Sequence, residues 1–473
     1  MNYGKCWTAT SKGLAVAAVA MGLAASSLCA AQDKEVVFHT FTGVENNSGE
    51  APAGGLTFNA SGDLFGTFST GGVGEFADGG VFELTPKAGG GVTYQEIHQF
   101  SQATGDGSNP GSALLVDAKG NLYGVTPNGG NGCGIVYELS PPTSAGGEWT
   151  ETFVHKFDSN GDDGCNPSGR LIFDNAGDLF GVTFNGGGGA SGIFEILCSN
   201  GCGTVYKLHL ADGVWTQTIL HHFTGEGTPD GVSPSGGLAF DKAGNLWGTA
   251  VFGGAGDSST CGDPNGGLGL CGTVFELTPN ANGTVWTEST LYSFVDASTG
   301  WNPFSGVILD AAGNLVGTTE NGGIALQGTV FEITPEAGGK VTESLIHQFD
   351  GEADGAFPAN SLTLGAAGSL YGVVSQGGGI GGVNICKEDS DESCGIVYKL
   401  TPGSDGTFAE TILYTFRGGA DGAGPADDVL AFGANGDIFG TASAGGDFDF
   451  NKTACADSSD LPGGCGVLFE LKP

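Results

Sequence analysis

Gly120-Asn121-Leu122-Tyr123-Gly124 is one of seven copies of a single pentapeptide pattern, and its recurrence decides the fold. In each copy a glycine precedes a small polar residue, an aliphatic, a bulky apolar residue and a second glycine. The other copies begin at Gly62, Gly177, Gly244, Gly313, Gly368 and Gly436, at steps of 55 to 69 residues. Self-similarity at that period marks an array of like units, so a residue present in every copy belongs first to the scaffold.

Around the pentapeptide each unit carries four short strand-like runs. In the second unit they are Leu114 to Asp117, Asn121 to Thr126, Gly134 to Leu139 and Trp149 to Phe157. Each is rich in β-branched and aromatic residues and is bounded by Gly, Pro, Asn or Asp, the expected strand signature. No window sustains the 3.6-residue period of a helical solenoid. Four strands per unit, repeated radially, predict an all-β, seven-bladed β-propeller of four-stranded blades. Val36 to Phe41 matches the fourth strand of other units, whereas the chain stops after Gly466 to Leu471, which matches a third strand. Pairing the two closes the ring and removes exposed sheet edges.

Residues 1–31 read as an export signal, with Lys5 and Lys12 ahead of an alanine-rich apolar stretch. Residues 32–473 then form one propeller domain. Leu28 before Cys29 is a poor lipoprotein context. No later run approaches the ~20 apolar residues that span a bilayer, so a secreted, periplasmic or extracellular protein without a membrane span is expected. Ten cysteines remain beyond the signal, which suits an oxidising compartment. Close spacing pairs Cys198 with Cys202, Cys261 with Cys271, Cys386 with Cys394 and Cys455 with Cys465. Cys133 and Cys165 lie in loops expected on one face, and they make a fifth bridge. The spacings differ between units and lack histidine, which disfavours a metal centre. Without Lys5 and Lys12 there are 13 basic residues against 52 acidic ones, a formal charge of −39. That excludes nucleic acid and anionic membrane as natural partners.

Five histidines recur at one place in the fourth strand: His39, His98, His155, His221 and His347, with Tyr292 and Tyr414 in the other two units. A position that accepts either ring packs an amphipathic aromatic rather than binding a metal. The third-strand acids Glu83, Glu138, Glu276, Glu332 and Glu470 recur in the same way, and five copies around a ring single out no catalytic pair. Trp149, Trp215 and Trp286 open fourth strands and read as core. Asp-Gly turns followed by proline, such as Asp106-Gly107 with Pro110, are turn chemistry. Oxygen-rich Ca²⁺ sites would use similar residues, but no EF-hand-like spacing is present. No cofactor is implied.

Departures from the repeat carry the functional signal. Arg170 stands where other units place small residues, and a guanidinium there suits a carboxylate or phosphate. Trp301 replaces a small residue before Asn302-Pro303, which suggests an exposed ring for stacking on sugar or protein. Glu320, Asp427 and Asp428 lack counterparts in most copies. All are expected toward one face, beside glycine-rich loops bearing Asn128, Asn185, Asn321 and Gln376. No Gly-x-Ser-x-Gly elbow, His-Glu-x-x-His or phosphate loop appears.

The strings Gly120-Asn121-Leu122-Tyr123-Gly124, Gly272 to Pro279 and Leu220 to Gly225 resemble the tandem repeat called GloVer, over essentially all of residues 35–473. The resemblance implies an exported bacterial repeat protein, in many members tethered by a C-terminal anchor, and it supplies no catalytic residues. The chain ends at Pro473 after a strand, without a sorting tail, which favours a released form. The residues together point to a monomeric, non-catalytic binding module for glycan or protein. A carbohydrate-active hydrolase or lyase using Glu320, Asp427 or Asp428, and a Ca²⁺-stabilised structural repeat, are the alternatives.

Overall fold

The two glycines of the pentapeptide have different roles in the computed structural model, which describes residues 34–472 apart from 43–48, 72–77, 88–90, 103–104, 145, 189–197, 199–200, 226–229, 256–260, 262–270, 337, 352, 379–393, 426–428 and 447–463. The first glycine turns the chain from a first strand into a second and has φ between 77° and 94° in all seven copies. That left-handed region suits glycine. Beside it the Asp117 carboxylate accepts hydrogen bonds from the backbone N–H of Lys119 and Asn121, and Asp241 and Asp310 do the same in their own turns. The second glycine lies beneath an aromatic ring of the third strand. A Cβ on Gly124 would meet the Tyr137 hydroxyl at 2.4 Å, and one on Gly181 would meet that of Tyr206 at 2.5 Å. Tyr137, Tyr206, Phe82, Phe275 and Tyr398 are fully buried in this way.

These units build seven four-stranded antiparallel blades in a ring. The first runs outward through Gly49–Phe58, Leu64–Gly71, Gly80–Pro86 and Val92–Gln99, and the fourth through Gly231–Phe240, Leu246–Gly253, Thr273–Pro279 and Trp286–Ser293. The seventh takes its outer strand from the start of the chain. Lys34–Thr40 pairs antiparallel with Val467–Lys472, with Val36 opposite Glu470 and Thr40 opposite Val467. The closure expected from the two terminal runs is therefore present. Every outer strand carries a β-bulge just before the recurring His or Tyr; in the closing strand the register shifts between Val37 and His39. The bulge bends the strand locally and re-aims the ring that follows.

Adjacent blades lock through aromatics. The phenylalanine two residues after each His or Tyr packs edge-on against the third-strand aromatic of the next blade: Phe100 on Tyr137 at 5.0 Å, Phe223 on Phe275 at 5.1 Å, Phe416 on Phe469 at 5.1 Å. Such pairs contribute ~0.5–1.5 kcal/mol each beyond the area they bury. Trp149, Trp215 and Trp286 pack against these clusters, half-buried. In each loop leading into a first strand, one residue takes a left-handed conformation before a proline, as at Asn109, Asn166 and Asn302 (φ 56° to 58°). Each such proline abuts a glycine at or just before the start of the third strand of the preceding blade; a Cβ on Gly134 would meet Pro167 Cδ at 2.7 Å.

The disulfides Cys133–Cys165, Cys198–Cys202 and Cys261–Cys271 form as expected, with Cα separations of 4.5, 4.8 and 5.4 Å. Cys394 and Cys465 are also disulfide-bonded; the partners expected for them, Cys386 and Cys455, lie outside the described residues, as does the signal segment 1–31. Among the described residues no helix is long and apolar enough to cross a membrane.

Candidate functional site

The seven first strands converge on the axis of the ring, and small residues let them do so. A Cβ on Gly236 would sit 1.9 Å from Gly306 N, and one on Gly169 1.2 Å from Gly236 O. Backbone thus packs on backbone, and hydroxyls bridge the strands: Thr249 donates to Ser305 O at 2.7 Å and Thr57 to Leu114 O at 2.8 Å. Two hollows lie along these strands, one lined by residues up to Gly169 and Gly236 and the other by residues such as Arg170 and Ile308 that follow the close contacts.

On the side of the loops that enter the first strands lies a cavity of about 480 Å³. Its polar lining is Asn109, Ser112, Ser168, Ser235, Ser305 and Glu320, with Phe304, Pro127 and Pro167 among its apolar walls. Glu320 is its only ionisable side chain among the described lining residues. Burial raises the Glu320 carboxyl above the usual glutamate range, while a hydrogen bond from Asn321 Nδ2 to Oε2 at 3.3 Å opposes the rise. The site therefore combines hydroxyls, an amide and one acid whose proton affinity burial raises. Its hydroxyls and amide can both donate and accept hydrogen bonds.

The residues singled out from sequence do not all meet here. Glu320 lines the cavity. Asn128, Asn185 and Asn321 lie on its surrounding loops, each giving an amide hydrogen bond to the left-handed asparagine of the same blade: Asn109, Asn166 and Asn302, at 3.2, 3.0 and 3.4 Å. The Gln376 backbone carbonyl accepts from Ala356 N–H at 3.1 Å. Arg170 corrects the expectation of a single face. The first strand passes the close contact at Gly169, so the next residue emerges beyond it, in a second hollow of about 340 Å³ shared with Thr57, Phe58 and Leu364. Trp301 corrects the expectation of an exposed ring. It is 9% accessible and packs with Cys261, Cys271 and Phe294, because the space a small residue fills elsewhere is here roofed by the Cys261–Cys271 bridge. Asp427 and Asp428 lie outside the described residues. The cavity serines went unnoticed in the sequence because each is a small residue one or two positions after a loop proline; Pro167-Ser168-Gly169 and Pro234-Ser235-Gly236 are the signal that could have found them.

A second kind of polar arrangement sits between blades. The recurring outer-strand ring faces an aspartate from the loop that follows it and a residue on the outer strand of the next blade. His98 meets Asp106 and Glu151, His221 meets Asp230 and Glu288, and His347 meets Asp354 and Glu410. At the next junction after His98, His155 lies 2.9 Å from Asp163, and Gln217 donates to Asp163 O at 2.9 Å. At the closing junction the Tyr414 hydroxyl is 2.9 Å from Glu35 Oε2 and also contacts Asp421 Oδ1. A hydroxyl has one proton to donate, so one of these two carboxyls carries a proton of its own. Burial and then the neighbouring Asp421 push Glu35 up to about 8, which makes it the protonated member. Where the closing blade meets the first, His39 stacks on Tyr94 with centroids 4.0 Å apart, and burial lowers its basicity to about 4.

Several solved structures have similar chains. An ulvan lyase of a polysaccharide-lyase family, bound to a GlcA(1-4)Rha3S unit, is 11% identical with a TM-score of 0.48, over 88% of this chain and 91% of that one. A luciferin-regenerating enzyme is 15% identical with a TM-score of 0.41, over 76% and 90%. An endo-arabinase from Bacteroides thetaiotaomicron is 12% identical with a TM-score of 0.31, over 67% and 100%. Likenesses this distant carry no argument about activity. No curated protein matches the chain. The model of the Gloeobacter/Verrucomicrobia repeat matches residues 24–199 and 199–386, more than half of the chain. With the seven pentapeptide units and the blades they build, this makes the protein a member of the Gloeobacter/Verrucomicrobia repeat family.

Proposed function

We propose that the protein is an exported, monomeric, non-catalytic recognition propeller whose central cavity takes a small, hydroxyl-rich, neutral group such as one sugar unit of a glycan. The observation that carries this reading is the lining: four serine hydroxyls, an asparagine and a single carboxyl around about 480 Å³, a volume in the range of ligand sites. Polyols are bound by groups that both donate and accept, as serine hydroxyls and an asparagine amide do. Glycoside hydrolysis in its common form uses two carboxyl groups flanking the scissile bond, and Glu320 has no described acid facing it across the cavity. Disulfides fit an oxidising exterior, where such a module meets its ligand.

The test is a glycan array followed by calorimetric titration with any glycan retained. Glu320→Gln keeps a donor and an acceptor and should bind within about 3-fold of wild type, whereas Glu320→Ala should lose about 10-fold, the worth of one buried hydrogen bond to a charged or acidic group. Absence of any retained glycan, or full affinity in the alanine variant, defeats the reading. A second reading has one observation behind it: burial raises the Glu320 carboxyl, the direction that suits a general acid. A hydrolase or lyase would release new sugar ends from polysaccharide, and Glu320→Gln would then abolish turnover while sparing binding.

A further inference from the structure

We propose that three blade junctions are divalent transition-metal sites of the Zn²⁺ class, each formed by one histidine and two carboxylates: His98 with Asp106 and Glu151, His221 with Asp230 and Glu288, and His347 with Asp354 and Glu410. In every set the histidine comes from the outer strand of one blade, the aspartate from the connecting loop and the glutamate from the outer strand of the next blade. The three ligand atoms of a set all lie within 4.8 Å of one another.

The distances within these sets are longer than those of good hydrogen bonds. The Nε2 atoms stand 3.6 Å from Asp106, 3.4 Å from Asp230 and 3.3 Å from Asp354, and 3.7 and 3.9 Å from Glu151 and Glu410. A good N–H···O hydrogen bond is ~2.7–3.2 Å. Two ligands at ~2.0–2.2 Å from one tetrahedral ion lie about 3.3–3.6 Å apart. His98 Nε2, Glu151 Oε1, His347 Nε2 and Glu410 Oε1 are all buried without a hydrogen-bond partner. The protein supplies its own control: where Gln217 stands in place of the glutamate, the histidine closes on its aspartate at 2.9 Å. The wider spacing thus accompanies the third ligand. The aspartates are already oriented, Asp106 by the N–H of Gly107 at 2.6 Å and Asp230 by the N–H and hydroxyl of Thr224 at 2.9 and 3.1 Å, the kind of support that metal ligands need. An imidazole with two carboxylates selects Zn²⁺-like ions; Ca²⁺ takes six to eight oxygens.

The sites join blade one to two, three to four and five to six, so each ion would pin two neighbouring blades at the rim. Metal ligands bind in their deprotonated forms, so affinity should fall in acid. The experiment uses the whole chain, stripped with a chelator, equilibrated with micromolar free Zn²⁺ and assayed by elemental analysis and calorimetry, with Co²⁺ absorption as an independent readout. Three ions per chain are expected. Glu151→Gln, Glu288→Gln and Glu410→Gln should each remove one, and the triple variant should bind none. Since each change reproduces the Gln217 junction, metal-free melting should show the variants folded. A stoichiometry below three, or one that the triple variant keeps, overturns the proposal.

Discussion

Glu35 ties the stability of the ring to pH, and replacing it by glutamine isolates the effect. The carboxyl belongs to the strand that closes the seventh blade and shares the Tyr414 hydroxyl with Asp421. Its affinity for a proton is raised from the usual 4.5 to about 8. Between those values the folded chain holds a proton that the unfolded chain has released. Stability is therefore fully present below 4.5 and falls as pH rises through about 8. At ~1.36 kcal/mol per pH unit the difference would approach ~5 kcal/mol for a fully buried group. This carboxyl is partly solvated, and screening brings the figure to about 1–2 kcal/mol. Glu35→Gln keeps a neutral donor beside Asp421, so it should match wild type in mild acid and exceed it by about 1–2 kcal/mol above pH ~9, roughly 1–4 °C in Tm. The assay is thermal melting of both chains across that range, with hydrogen exchange over residues 34–40 to place the change at the closing strand. A wild-type melting temperature that does not fall in alkali, or a variant that keeps the same slope, refutes the shared-proton account.

His39 acts on the acid side. It is buried and held neutral down to about 4, against 6.5 when free, so stability is lost as pH falls from 6.5 toward 4, by at most about 3 kcal/mol. His39→Tyr, an exchange the fold already makes at Tyr292 and Tyr414, should reduce that loss in acid melting curves; an unchanged acid limb would show that His39 is not its source. Gly236→Ala places a Cβ 1.9 Å from the backbone of Gly306 at a φ of +69°, and it should cost more than ~3 kcal/mol or prevent folding. Gly177→Ala meets nothing within 4 Å and should cost only the ~1 kcal/mol of its left-handed backbone. Equal denaturation midpoints for the two variants would contradict the close contact at the axis. Replacing Cys133 and Cys165 by serine opens a loop with a sequence separation of 32, and the denaturant midpoint should fall by an amount equivalent to about 3–4 kcal/mol; no change would mean that blade packing alone fixes those loops.

The pentapeptide was sufficient to count the blades, because each of its features is a local backbone demand: a left-handed turn at the first glycine, and a strand that must stay bare at the second. The matching runs at Val36–Phe41 and Gly466–Leu471 likewise announced closure, since an outer strand was missing at one end and spare at the other. Even the Cys133–Cys165 bridge was legible once the loops were assigned to a face. The candidate site was legible only in part. Glu320 stood out as a departure from the repeat, but the serines around it are the small residues that the axis requires, and their place after the loop prolines reads first as turn chemistry. Trp301 misled because its burial depends on a disulfide contributed by the preceding blade. Arg170 misled because one residue along a strand crosses the close contact made by Gly169 and Gly236.

The outer-strand histidines show the same division. Their recurrence, and their exchange with tyrosine, are properties of the chain and mark a scaffold ring. Their acidic partners come from the next loop and the next blade; Glu151 is 53 positions beyond His98, and Glu35 reaches Tyr414 across 379. The sequence alone therefore determined the unit, the number of units and the closure, because periodic turns and strands are set by each residue's own backbone and immediate neighbours. Which polar groups face one another was decided by the assembled ring, since those encounters are created by packing one blade against another.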